Sequence, residues 1–289
     1  MTHARWRNLP VRPWCVTSRT DLRCLWCVYC RGANGRDHDP GDPSQPPFPE
    51  GEACRFRLVG GDPFTHGDLR AWTAWARRAK RSVIEVEGHG HHLIDEGAVE
   101  RLRDAGVDAA RVFVPSLDDA QLTAWTGADA VASRTLDGID LALDAGLAVT
   151  AVVAVNALTA PRLAETITGL AARFAGRVEV ELFRAPPHGA PRGWEELDAL
   201  GAALASLPDP LPHDLSLRFD ALRGYGPCVL PPSARRPGLV AAYRSGTRAQ
   251  EHAVAPDGAC AACAWRPRCA WQPPRDDPPH AVLRALDER

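Results

Sequence analysis

Three thiols crowd one short run, Arg23-Cys-Leu-Trp-Cys-Val-Tyr-Cys30. Cysteines at this even spacing can turn Cys24, Cys27 and Cys30 toward one metal centre, since thiolate sulfur suits soft iron and zinc sites. Three ligands on an iron–sulfur cluster would leave one iron open to bind and activate a substrate. A zinc knot, or buried cysteines without metal, are the alternatives. A second thiol set lies near the other end of the chain: Cys228, then Cys260-x2-Cys263-x5-Cys269. Four thiols can close a site completely, as structural zinc or as a four-iron cluster, and the spacing alone favours zinc. The segment carrying them has little apolar periodicity of its own and needs such a staple.

Two further motifs could do chemistry. Leu58-Val-Gly-Gly-Asp-Pro63 ends a strand-like stretch. Paired glycines let backbone approach a ligand closely, and the adjoining carboxylate could accept from an amine. An ordinary Gly-Asp-Pro turn would look the same. Gly88-His-Gly-His-His92 follows another strand. Its imidazoles could bind metal or move protons, but the segment reads as a flexible polar turn. Trp72 and Trp75 read as packing residues. Trp26, between two candidate ligands, is the exception.

These motifs need a scaffold, and the chain supplies an alternation of strands and helices. Val11–Thr17 is strand-like, and residues 31–53 are a polar, Gly- and Pro-rich irregular loop. Strands follow at 56–60, 82–87, 110–114, 147–153 and 177–183, with helices expected over 66–80, 95–105, 131–145 and 161–175. Gly106 and Gly146 stand where helix-ending glycines belong. The apolar run from Leu147 to Val153 suits a strand buried on both faces. A further helix is expected at 193–207 and a strand at 214–219. Strand–helix alternation implies parallel βαβ units with right-handed crossovers. In parallel α/β barrels the loops after the strands form the active face, which is where the cysteine run, the Gly-Gly-Asp turn and the histidine loop all fall. The helix expected after the first strand is missing, replaced by the irregular loop.

Composition narrows the function classes. The chain has 289 residues, 45% of them apolar, enough for one large core with an appendage. Its 34 basic and 36 acidic residues nearly cancel and no basic block stands out, so no nucleic-acid partner is expected. No apolar run is long enough to span a membrane. The first ten residues, Met1 to Pro10, lack the apolar core of a signal peptide, so the expected location is cytoplasmic. Nine cysteines in a reducing compartment point to metal more than to disulfides.

Taken together the motifs resemble the radical S-adenosylmethionine (radical SAM) superfamily, usually recognised by Cys-x3-Cys-x2-Cys after the first strand. The similar stretch here is Thr20-Asp-Leu-Arg-Cys24-Leu-Trp-Cys27, with Val16-Thr-Ser before it. Gly60-Gly-Asp-Pro63 is similar to the family's GGEP motif, Val114-Pro-Ser-Leu-Asp118 to the end of its fourth strand, and Ala145 through Asn156 to its fifth-strand region. The resemblance implies an α/β fold, a partial (β/α)6 TIM-like barrel over residues 1–207. It also implies a small cysteine-rich extension over 208–289, of the SPASM or shorter twitch kind. Pro273 stands where a full SPASM has a further cysteine, so a twitch-like extension fits better.

By the same resemblance, Cys24 and Cys27 match the second and third ligands of a [4Fe-4S] cluster, and Thr20 stands in place of the first. Cys30 could supply the third sulfur. Trp26 would pack near the adenine of S-adenosyl-L-methionine, and Gly60, Gly61 and Asp62 would contact its methionine part. Cys228, Cys260, Cys263 and Cys269 would hold an auxiliary cluster, giving one or two clusters in all. No catalytic group beyond the cluster is assigned. The implied activity is reductive SAM cleavage, followed by hydrogen abstraction by the 5′-deoxyadenosyl radical. The expected partners are an electron donor and a peptide substrate or a partner modifying enzyme. With only about ten residues before the first strand, no peptide-recognition domain is expected there. The alternative is a degenerate, non-catalytic barrel that binds a peptide or an enzyme. A zinc-stabilised binding protein is a third expectation.

Overall fold

The computed structural model describes residues 9, 11–22, 53–78, 83–156, 158–184, 202–207 and 216–219. The expected irregular loop, the missing first helix and all seven candidate ligand cysteines lie outside these residues. So do Trp26 and most of the helix expected at 193–207. The chain divides into two compact units, Met1–Val152 and Val153–Arg289.

In the first unit, β1 (Val11–Thr17) pairs in parallel with β2 (Arg55–Gly60), and β2 with β3 (Val83–His89). Strand β3 pairs with β4 (Ala109–Phe113), and β4 with the start of β5 (Ala148–Val155). Between β2 and β3 runs a short 3-10 helix, Pro63–Thr65, and then α1 (Arg70–Arg78). After β3 come a 3-10 helix, Gly90–Ile94, and α2 (Ala98–Asp104). Two helices, α3 (Asp119–Thr126) and α4 (Ala132–Asp144), join β4 to β5. The second unit holds the end of β5, α5 (Leu163–Phe174), β6 (Val178–Arg184) and β7 (Ser216–Phe219), the last two parallel. Every expected strand is present, and the parallel pairing along β2, β3, β4 and β5 follows from the helical crossovers between them.

The helices begin later than periodicity suggested. Asp62 caps the 3-10 turn at Pro63, so α1 starts at Arg70, and Gly97 in the left-handed region delays α2 to Ala98. Gly106 and Gly146 do take left-handed φ values, 82° and 84°, just past α2 and α4. Helix α3 has no counterpart in the sequence reading. Asp118 opens it by accepting the Gln121 N–H at 2.8 Å, and Gly127 closes it at φ 66°.

The outer core follows from the apolar residues of each element. Trp72 and Trp75 of α1 are buried against Trp14 of β1 and Phe56 of β2, with Trp14 and Trp75 rings 5.3 Å apart. Their packing role is therefore as expected. On the other face of β2–β4 the side chains are charged yet buried: Arg55, Arg57, Glu85, Glu87 and Arg111. Arg57 Nε donates to Glu85 at 2.9 Å, Arg111 Nε to Glu87 at 2.9 Å, and Arg55 reaches Glu85 at 3.4 Å. A 3.5 Å contact between Arg57 and Glu87 joins the two halves into one lattice. Burial disfavours the Glu85 anion, but Arg57, Arg55 and Arg111 outweigh it and hold its pKa below the usual value.

Candidate functional site

The strand ends of β1, β2 and β3 converge on a glycine-lined corner. Strand β1 runs into residues 18–22, the last described before the cysteine run. Gly61 N–H donates to Thr17 O at 2.8 Å and Asp62 N–H to Arg19 O at 2.6 Å, so the Gly-Gly-Asp turn is strapped to that loop. A Cβ on Gly60 would meet Thr17 O at 2.0 Å, and one on Gly61 would meet Arg19 O at 2.1 Å. Gly60 also has φ 142°. The paired glycines thus let two backbones approach each other. Thr20 turns its hydroxyl to the Leu22 N–H, accepting at 3.1 Å in a local turn that anchors the loop. Cys15 stays in β1, its sulfur directed to Thr17 O at 3.5 Å.

Asp62 is 0% exposed. Its carboxylate accepts from Phe64 N–H at 3.1 Å and His89 N–H at 3.2 Å. Gly88 makes room for it, since a Cβ there would come within 2.4 Å of Asp62 Oδ1. Burial pushes the Asp62 pKa up to about 6, against the pull of His92 and His91. His89 is buried at the end of β3, its ring centroid 5.4 Å from that of Phe113, and burial lowers its pKa to about 3.

The histidine segment is not the flexible turn that its composition suggested. It is the 3-10 helix Gly90–Ile94, seated on α4. A Cβ on Gly138 of α4 would come within 2.2 Å of Gly90 O, and one on Gly90 within 2.6 Å of Val112 Cγ1, so each glycine is needed for the fit. The turn brings the His91 and His92 rings to 4.0 Å between centroids. Both face Asp21, which the sequence reading did not single out: His91 Nε2 lies 3.1 Å from Asp21 Oδ2 and His92 Nε2 3.2 Å from Asp21 Oδ1. The remaining His92 nitrogen, Nδ1, lies 3.1 Å from Asp95 Oδ2, and Asp62 Oδ2 is 3.9 Å from His92 Nε2. Burial works against the His92 cation, but Asp21, Asp62 and Asp95 outweigh it and raise its pKa to about 9. Asp21 is correspondingly held far below the usual carboxylate range by hydrogen bonds from His91 and His92.

The motifs similar to the family's fourth and fifth strand ends are turn-forming. Ser116 Oγ accepts the Asp118 N–H at 3.0 Å. Asn156 Oδ1 accepts from Leu158 and Thr159 N–H at 2.9 and 3.1 Å.

Known proteins share both sequence and fold with this chain. Over 93 residues it is 42% identical to the GTP 3',8-cyclase of Klebsiella pneumoniae subsp. pneumoniae, a stretch covering 32% of this chain and 27% of the relative. The GTP 3',8-cyclase of Yersinia pestis is 37% identical over 93 residues, 28% of its length. The chain thus matches about a quarter of these relatives' length, and no family model matches it. Among solved structures, native anSMEcpe with bound AdoMet superposes at TM-score 0.54 and 15% identity, covering 69% of this chain and 60% of that one. Streptococcus suis SuiB bound to S-adenosylmethionine does so at 0.53 and 12%, covering 73% and 50%. The fold shared with these two structures is an α/β fold of parallel strands. Among the described residues no helix is long and apolar enough to cross a membrane.

Proposed function

We propose that this chain is a radical SAM-type iron–sulfur enzyme that cleaves S-adenosyl-L-methionine reductively and abstracts hydrogen from a substrate, with a peptide as the substrate class. The observation that carries the reading is the 42% identity to a GTP 3',8-cyclase, on a chain whose fold is also that of two SAM-bound proteins. Because the match spans 27% of the cyclase, its nucleotide substrate is not transferred. The donor chemistry fits the implied groups, since two sets of soft thiolates suit iron–sulfur clusters. Cys24, Cys27 and Cys30 would hold the SAM cluster, and Cys228, Cys260, Cys263 and Cys269 an auxiliary one. When bound, the first cluster supplies the electron for SAM cleavage. The chain's own part is to fix the loop leading to it, through Gly60, Gly61 and Asp62 on residues 17–19.

A second reading, a degenerate barrel that binds a peptide or an enzyme partner, is favoured by two observations. Thr20 occupies the first ligand position with its hydroxyl engaged by Leu22, and Asp62 is turned wholly inward. Anaerobic reconstitution with iron and sulfide, iron counting and a 5′-deoxyadenosine assay decide between them. Two four-iron clusters and SAM cleavage are expected, with one cluster and all cleavage lost in the Cys24→Ala/Cys27→Ala variant. A single cluster, lost only in Cys260→Ala/Cys263→Ala, would leave the second reading standing.

A further inference from the structure

We propose that Asp21, His91 and His92 form a site for one divalent first-row transition-metal ion of the zinc class, with no sulfur among its three donors. The donor atoms come from two loops 70 positions apart and lie within 4.8 Å of one another. They are two imidazole nitrogens and one carboxylate oxygen, which suit borderline ions better than the softest, thiolate-seeking ones.

The spacing fits an ion. At metal–ligand bonds of about 2.0–2.2 Å, the edge of a tetrahedral site is about 3.3–3.6 Å. The two imidazole nitrogens meet different oxygens of the one carboxylate, His91 at Oδ2 (3.1 Å) and His92 at Oδ1 (3.2 Å), and one donor atom from each residue lies within 4.8 Å of the other two. An ion would enter between the two rings with the exposed Asp21 carboxylate turning to present one oxygen to it.

The surroundings fit as well. Ligating histidines usually give their second ring nitrogen to a carboxylate or carbonyl, which fixes the tautomer and the ring plane. His92 does so, with Nδ1 at 3.1 Å from Asp95 Oδ2. The buried Asp62 carboxylate, 3.9 Å from His92 Nε2, adds negative charge behind the site. The 3-10 helix holds both rings from one rigid turn, whereas Asp21 is exposed and leaves a path for the ion. Three protein ligands leave a coordination position for water or for an oxygen donor of a small ligand, as in reactive rather than closed structural sites. The site does not rest on the iron–sulfur reading, because none of its donors is sulfur.

The test is a Co2+ titration of the full-length protein under reducing, anaerobic conditions, followed by visible absorption. One equivalent is expected with ligand-field bands but no sulfur-to-cobalt charge transfer. That equivalent should persist in Cys24→Ala/Cys27→Ala and vanish in His91→Ala/His92→Ala. Should circular dichroism show the histidine variant unfolded, Asp21→Asn carries the test, since it alters an exposed loop side chain. It should weaken Co2+ binding at least about 10-fold, and Asp95→Asn, acting through His92, about 10-fold or more. Purely sulfur-ligated cobalt in the wild type, or Asp21→Asn binding as tightly as the wild type, would mean a hydrogen-bonded Asp–His cluster only and would overturn the proposal.

Discussion

One set of charged side chains lies on β2–β4 and another in the segments that follow β1 and β3, and they are treated oppositely. Along β2–β4, Arg55, Arg57, Arg111, Glu85 and Glu87 are all buried and bonded to one another across the strands. At the strand ends, Asp21, His91 and His92 are likewise in contact but keep access to water. A charge that is buried must be neutralised by partners already in place. Those partners already engage most of the lattice's charged atoms, so it can shape the sheet but has little capacity for a ligand. The rim retains that capacity because solvent shares the cost of its charges.

The comparison breaks most directly at Glu85. Glu85→Gln leaves Arg55 and Arg57 buried beside a neutral group, and should cost about 3–5 kcal/mol by denaturant unfolding. A loss below about 1 kcal/mol would show that water reaches the lattice. The next effect is on acid stability. His89 has its folded pKa lowered to about 3, against an ordinary value of 6.5. Between those values the unfolded chain binds a proton that the folded one refuses, so stability should fall as pH drops from 6.5 to 3. Asp62 acts in the other direction, since its raised pKa favours the folded state at low pH and that gain is lost as pH rises through about 6. His89→Gln should flatten the acid limb, and a thermal-unfolding series across that range checks it.

Gly60→Ala should cost about 1–3 kcal/mol from backbone strain alone, at φ 142°. Its Cβ would also run into Thr17 O, so calorimetry should place it between the lattice and rim variants or above. The smallest expected change is in Asp21→Asn, under about 1 kcal/mol because the contact is solvent-shared. It should nonetheless lower the His92 titration from about 9, followed by NMR in metal-free protein. A large stability loss without that shift would place Asp21 with the lattice.

The strands and most helices were legible because their signals are local. Gly106 and Gly146 end helices through a conformation that glycine adopts cheaply, and this needs no tertiary context. Helix α3 escaped because its apolar residues form no clear stripe, although Asp118 and Gly127 bracket it as caps. The lattice was harder to see. Arg55, Arg57, Glu85 and Glu87 alternate with apolar residues, a pattern that in an open sheet marks a solvated face. Here that face is covered, so alternation separates two buried surfaces. The histidine loop was visible, but its character was not. Gly90 and Gly138 turn it into a fixed helix, and its carboxylate partner stands 70 positions away.

The meeting of Gly90 with Gly138 has a consequence for how this corner can vary. The 3-10 helix that carries His91 and His92 meets α4 with no space for even a methyl group at Gly138. Position 138 therefore acts as a set screw. Any larger side chain there would have to displace the 3-10 helix that carries His91 and His92, so the spacing of the rim is set in part from a helix that supplies none of its donor atoms.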